Sequence, residues 1–260
     1  MPFSIGTAKP DLTSCVAPHH LFDIINQPRD HTVAEYRTHV MVLLNELSSR
    51  HRLPIIVGGS LFYIQSLLFP PTTAHAGISR DHERCKGDES PWKLLQTIDP
   101  ERAMHIHPHD TYRIQRALDI WRSTGQKPSS YKRDYNPVAN GILLWVTRDR
   151  TDLHERINKR VLAMVEQGLV DECSKLIHTP WYDFINKKKL IGYNEIFSYL
   201  QGEISLTQAI ALIQQRTRAY AKRQETFWRM LKNQIVGIQT THPLLIDTIN
   251  LTHQDTTLYS

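Results

Sequence analysis

The chain has 260 residues, with 40% hydrophobic and 22% charged side chains and a formal charge of +5. That composition excludes a disordered chain, and the length is sufficient to bury a core without disulfides or a structural metal. Three widely spaced cysteines, Cys15, Cys85 and Cys173, argue against a disulfide framework and fit a reducing cytoplasm.

Residues 1–18 show no helical period and read as loop, and no basic region followed by an apolar core marks a signal peptide there. His20–Ile25 is a short apolar stretch predicted as a strand. Thr32-Val-Ala-Glu35 has the spacing of a capping box, and the helical recurrence of Val33, Tyr36, Val40, Leu43, Leu44 and Leu47 predicts a helix ending near Arg52. Leu53-Pro-Ile-Ile-Val57 is wholly apolar and β-branched, which suits a strand buried on both faces of a parallel sheet. Gly58-Gly59-Ser60 then turns into an apolar helix reaching about Leu68. That rhythm belongs to an α/β domain.

Residues 70–140 are polar and rich in His and Pro, with one clear helix at Thr111–Thr124 ended by Gly125, and read as a helical insertion. Ile142–Val146 is predicted as a strand returning to the core, and Asp152-Leu-His-Glu155 as the start of a helix running to about Gly168. Ser205 to about Lys232 is the longest helical pattern, and residues 235–260 are polar, Thr-rich and expected to be a loose tail. The expected division is an α/β core of residues 1–69 and 141–234, an insertion of 70–140, and the tail. No apolar run approaches the roughly 18 residues of a membrane span.

On the last helix, Ile213, Tyr220, Phe227 and Leu231 stack on one face. Arg218, Lys222, Arg229 and Lys232 form a separate stripe, Arg216 and Arg223 border the apolar face, and only Glu225 interrupts this basic run. A solvated face and a phosphate track along a nucleic-acid backbone both fit, and the scarcity of acidic partners favours the track. Arg113 and Arg116 follow a helix start, where free N–H groups and a positive dipole end could hold a phosphate; two solvated arginines fit equally well. His105, His107 and His109 invite a zinc reading, but Pro108 and the absence of a nearby cysteine pair favour a surface loop. Arg156 and Arg160 share one side of their helix.

Several segments in this order resemble the bacterial tRNA dimethylallyltransferases. They are Ile5-Gly-Thr-Ala-Lys-Pro10, Pro18–Ile24, Leu53–Ser60, Asp99-Pro-Glu-Arg-Ala103, Ile106–Asp110, Arg113–Leu118, Leu153–Ile157, Ile191-Gly-Tyr193, Tyr199–Ser205 and Ala221-Lys-Arg-Gln224. The resemblance implies a P-loop-kinase-like parallel sheet with an insertion that clasps RNA. It implies transfer of a dimethylallyl group from dimethylallyl diphosphate to N6 of adenine 37, in tRNAs reading codons that begin with U. Magnesium would assist departure of the diphosphate. The partner would be a tRNA anticodon stem-loop, the protein a cytoplasmic monomer.

By position, the resemblance makes Arg160 the catalytic arginine at the diphosphate. It assigns RNA contact to Ser60, to Tyr112, Arg113, Ile114, Gln115 and Arg116, and loosely to Arg80. A further RNA-contacting segment is Lys189, Leu190, Ile191, Gly192, Tyr193 and Asn194, although an Arg is common where Lys189 and Asn194 stand. The last is Lys222, Arg223 and Gln224, continuing to Arg229. Two family parts are missing from the sequence: a Gly-x-x-x-x-Gly-Lys-Ser/Thr loop, and the Asp-Ser-x-x-x-Tyr segment that supplies the general base. The 260-residue chain is therefore expected to be catalytically inactive and poorly soluble, as a fragment or mis-started chain. The rival readings are an RNA-binding relic without chemistry and a kinase-like enzyme acting on a small molecule.

Overall fold

The computed structural model describes residues 3–7, 9–69, 90–131, 134–236 and 242–251. The chain divides into two units, one of Met1–Tyr63, Gly141–Val236 and Leu244–Ser260, the other of Ile64–Asn140 and Gly237–Pro243.

In the first unit, helix α1 (Val33–Ser49) begins with the expected reciprocal cap: the Thr32 hydroxyl accepts from the Glu35 N–H at 3.1 Å, and the Glu35 carboxylate accepts from the Thr32 N–H at 2.8 Å. Arg50 caps its end. Two strand expectations fail here. His20–Ile25 forms bends, because Leu21 (φ 63°) and Asp23 (φ 54°) take left-handed backbone that no strand accommodates. Leu53–Val57 has no strand ladder, and Leu53 and Val57 are 87% and 89% exposed. Apolar composition alone does not make a strand; its N–H and C=O groups need a neighbouring strand, and none of the described residues supplies one. Helix α2 (Leu61–Leu68) follows the Gly-Gly-Ser turn and runs across the division between the units.

The second unit holds α3 (Pro91–Ile98), α4 (Pro100–Met104) and α5 (Thr111–Thr124). Leu95, Ala103, Ile106, Ile114, Ala117 and Leu118 make its core. The Asp99-Pro100 pair has a local explanation. Asp99 is fully buried and caps α4 by accepting from the Arg102 N–H at 3.0 Å, and it also takes the Ser129 N–H at 2.7 Å. Pro100 sits in the first helical turn, where its missing N–H costs nothing. Gly125 ends α5 in the left-handed conformation (φ 69°).

Returning to the first unit, strand β1 (Gly141–Arg148) pairs in parallel with β2 (Leu244–Leu251), from Gly141↔Leu244 to Arg148↔Leu251. β2 lies in the segment expected to be a loose tail, so that expectation is corrected. Leu244, Ile246 and Thr248 on β2 answer Gly141, Leu143 and Trp145 on the half-buried face of β1, and this alternation is the strand signal that the polar composition masked. Trp145 stacks on Trp228 with ring centroids 5.2 Å apart. The opposite face, with Ile142, Leu144, Val146, Leu245 and Ile249, is exposed.

Helices α6 (Arg150–Glu166), α7 (Leu169–Ser174), α8 (Pro180–Lys188), α9 (Tyr193–Leu200) and α10 (Leu206–Ile235) complete the unit. Asp149, not Asp152, caps α6, accepting from the Thr151 N–H at 2.8 Å, and Asp152 is buried and paired with Arg148 at 3.1 Å. Val161, Leu169, Cys173, Leu176, Ile185, Tyr193, Ile196, Phe197, Ala209 and Ile213 form the core. Burying one such large apolar side chain contributes about 1.5–3 kcal/mol. The architecture is an α/β fold with a small parallel sheet and many helices; the described residues contain no phosphate-binding loop. No helix among them is long and apolar enough to cross a membrane.

Candidate nucleic-acid interface

Helix α10 starts with a capping box between Ser205 and Gln208 and contains no proline, which accounts for its length. Its buried residues are Ala209, Ile213, Trp228, Leu231 and Ile235. Between Ile213 and Trp228 none is buried. The expected continuous apolar face is therefore broken in the middle: Phe227 is half-buried and Tyr220 is 40% exposed, because core neighbours meet α10 only towards its two ends.

This bare middle carries the basic run, and its members differ in what they touch. Arg216 pairs with the buried Glu195 carboxylate. The Arg218 guanidinium donates to Asn158 Oδ1 at 2.6 Å, and Gln214 donates to the Asn158 carbonyl at 3.2 Å, so both fasten α10 to α6. Arg223 lies over the Tyr220 ring at 5.6 Å. Arg229 stands 4.0 Å from Glu225, an exposed pair that contributes little. Lys222 is exposed and has no described acid beside it. Arg218 is thus occupied by structure, whereas Lys222, Arg223 and Arg229 present charge to solvent.

Gln224 links this helix to the glycine turn. Its Nε2 donates to the Gly59 carbonyl at 2.8 Å. A Cβ on residue 59 would lie 2.2 Å from that nitrogen, so a larger residue there would displace the Gln224 amide from this contact. Ser60 next to it is exposed, and its carbonyl accepts from the Tyr63 N–H at 3.0 Å as α2 begins.

The 189–194 segment contradicts part of its assignment. Lys189 ends α8 in left-handed backbone (φ 52°), and it and Leu190 are exposed, while Ile191 packs against the core. Gly192 is buried, with its N–H donating to Glu195 Oε2 at 2.7 Å. Tyr193 is only 2% exposed, and its hydroxyl donates to Glu172 Oε1 at 2.8 Å. Asn194 donates to Asn186 Oδ1 at 2.8 Å. Gly192 and Tyr193 are interior groups and cannot touch RNA as predicted; Lys189 and Leu190 can.

Glu172 explains why. Besides Tyr193, it accepts from the N–H groups of Ser4 and Ile5, each at 2.9 Å, and of Gly6 at 3.0 Å. Burial alone would raise its carboxyl; these donors outweigh burial and hold it below the usual carboxylate range. Burial and the Glu172 charge push the Tyr193 phenol upward. A Cβ at Gly6 would fall 2.4 Å from the Tyr193 ring, so the Gly-Thr-Ala-Lys motif and the Gly-Tyr motif are one packed joint. Burial also pushes the Cys173 thiol up to about 12, which keeps it inert.

Sequence reasoning missed both Glu172 and Glu195. Glu195 had a signal, standing three residues after Gly192 at capping-box spacing. Glu172 had none, since its backbone partners lie 166–168 residues away.

In the second unit, Tyr112 is 67% exposed, and Arg113 is exposed and paired with Asp110 at 2.7 Å. Asp110 also accepts from the Arg113 N–H at 3.0 Å, so this helix start is already capped by an anion and is a poorer phosphate site than its sequence implied. Ile114 is buried in the core, which removes it from the RNA-contacting set, and Gln115 donates to Asp119 at 2.8 Å. Arg116 is half-buried. The rings of His107 and His109 lie 5.3 Å apart, with no third ligand assembling beside them among the described residues. Arg80 lies outside the described residues.

Arg160 is exposed on α6, two residues past Asn158, and so roughly 200° around the helix from the side chain that meets Arg218. The structure does not bring it into contact with the basic run of α10.

The IPP transferase family model matches residues 2–231. This chain belongs to the IPP transferase family. It is 38% identical over 236 residues to a tRNA dimethylallyltransferase of Alkaliphilus metalliredigens, covering 86% of this chain and 75% of that protein. It is 37% identical to one of Geobacter sulfurreducens, covering 86% and 76%. The fold is similar to a eukaryotic dimethylallyltransferase acting on tRNA, with a TM-score of 0.78 at 27% identity, over 98% of this chain and 66% of that one. It is also similar to a full-length tRNA isopentenylpyrophosphate transferase from Bacillus halodurans, with a TM-score of 0.60 at 29% identity, over 97% and 79%. Membership of the IPP transferase family makes the chain's class that of a transferase.

Proposed function

We propose that this chain is the RNA-gripping part of a dimethylallyl transfer from dimethylallyl diphosphate to N6 of adenine 37, in tRNAs reading codons that begin with U. The reading is supported by family membership and by one structural observation: the Gln224–Gly59 hydrogen bond. It joins two segments, distant in sequence, that the resemblance assigned separately to RNA.

An exocyclic adenine amine is a weak nucleophile, so the transfer depends on stabilising the departing diphosphate. Arg160, exposed and without a described acid partner, has its guanidinium available for that anion. Lys222, Arg223, Lys189 and Arg229 supply phosphate contacts that fix register, while Ser60 and Gln224 offer hydrogen bonds at the glycine turn. Tyr112, Arg113, Gln115 and Arg116 supply RNA contacts from the other unit. Ile114, Gly192 and Tyr193 support the surface from within.

Magnesium would neutralise charge on the diphosphate. Among the described residues no group of three or more His, Cys, Asp or Glu side chains could hold it, and no step is assigned to it. The sequence also contains no phosphate-binding loop of the Gly-Lys-Ser/Thr type. On this reading the 260 residues bind tRNA without transferring the prenyl group.

Two measurements test this. Binding of an anticodon stem-loop should weaken steeply with salt, and Lys222→Ala should reduce the salt slope by about one. Mass spectrometry of nucleosides from unmodified tRNA incubated with the chain and dimethylallyl diphosphate should show no prenylated adenosine. Absence of RNA binding would refute the reading, and prenylation by the 260-residue chain would refute its division of labour.

A further inference from the structure

We infer that His31 and His39 form a proton-sharing pair that accepts one proton and opposes a second, and so makes the anchorage of α1 sensitive to acid. His31 Nε2 and His39 Nδ1 stand 3.3 Å apart. The two ring centroids are 5.4 Å apart, and the ring planes differ by only 12°. The difference between those two distances is nearly the full pair of centroid-to-nitrogen spans, so the rings meet edge to edge and each facing nitrogen points at the other. In the neutral pair one ring donates its N–H and the other accepts. One added proton keeps a donor opposite an acceptor and makes their bond charge-assisted. A second leaves two N–H groups facing each other, with two positive charges and no acceptor between them.

The surroundings add to the resistance at His31, which is half-buried where His39 is exposed. Burial lowers the His31 imidazole from its usual value, the Glu35 carboxylate opposes that, and His39 and Arg29 add to the lowering. Tyr36 meets the His31 ring edge-on at 6.4 Å. Glu35 does not titrate in the same range: the Thr32 N–H at 2.8 Å and Arg29 at 2.6 Å hold its carboxyl down to about 2. His31 also stands among the attachments of α1. Asp30 before it pairs with Lys188 at the end of α8, and Thr32 after it caps α1. The His31 carbonyl accepts from the Tyr63 hydroxyl of α2 at 2.8 Å. Repulsion between the rings therefore pulls on three consecutive residues that tie α1 to α2 and α8. Because the fold resists charging His31, the anchorage is complete above the ordinary histidine value of about 6.5 and is lost as pH falls through the lowered folded value.

The test is a nuclear magnetic resonance titration of the 260-residue chain without RNA, with the two imidazoles assigned through His31→Asn and His39→Ala. In the wild type the pair should titrate in two steps separated by roughly one pH unit or more. In His39→Ala, His31 should titrate in a single step at higher pH than its wild-type step. Amide hydrogen exchange reads the consequence at the start of α1, where the Glu35 N–H meets the Thr32 hydroxyl and the Tyr36 N–H meets the Thr32 carbonyl. Their protection, corrected for intrinsic exchange, should fall about 10-fold between about pH 7 and pH 5, the factor that one unit of coupling carries. His39→Gln keeps a polar side chain that takes no proton, so it should titrate like His39→Ala and lose that fall. His31 titrating identically in the wild type and both His39 variants overturns the inference. So does wild-type protection that is the same at both pH values, or a fall that persists without His39.

Discussion

Leu53–Val57 and Gly192–Tyr193 exchange the places expected of them. The first is five residues of apolar sequence with the look of an inner strand, and it lies on the outside with no ladder. The second was assigned to an RNA-facing surface, and it lies inside, held between two carboxylates. The difference is made by partners. Tyr193 has Glu172 for its hydroxyl, Phe3 edge-on at 5.5 Å, and a glycine at position 6 that lets the chain pass close to its ring. Leu53–Val57 has no neighbour among the described residues to take its backbone groups. Motif identity carries chemistry and ancestry, but burial is decided by what stands opposite.

The contrast can be broken by mutation. The largest effect should come from Tyr193→Ala, which empties a core site and strips Glu172 of one donor, at about 3–5 kcal/mol in urea unfolding. A loss below about 1 kcal/mol would mean that Tyr193 is not the pivot described. Gly6→Ala should follow, at about 1–3 kcal/mol from overpacking against the same ring. Acid titration should give a smaller effect with a definite sign. Because the Glu172 carboxyl is lowered in the fold, its contribution is complete above the unfolded carboxylate value of about 4.3 and fades as pH falls through the folded value. Glu172→Gln should therefore be less stable than wild type near neutrality, and the gap should close in acid. A gap that widens in acid would contradict the assignment. Leu53→Ser should be the smallest, within about 0.5 kcal/mol, since the side chain is already in water.

What the sequence disclosed was mostly local. The Thr32–Glu35 box, the Thr111–Thr124 helix with Gly125 at its end, and the start of α10 at Ser205 rest on neighbours within a few residues, and each stands as read. Family membership was legible because many short motifs kept their order. The failures are non-local. β2 was hidden because its partner β1 is far upstream, and Glu172 because its donors are at the opposite end of the chain. Ile114 was misassigned as an RNA contact because a motif names positions without saying which way each side chain faces, although its helical spacing already placed it on the apolar side of α5.

The parallel pairing of Gly141 with Leu244 governs when this protein can finish folding. Every residue of α6 to α10 lies in the loop that this ladder closes, so helices made of near-neighbour contacts can be complete while β1 still waits. Closing so long a loop is entropically costly, and contacts of high sequence separation form slowly. Until β2 is made, an apolar β1 lacks the one strand described beside it, and chaperone demand should track the delay in making β2.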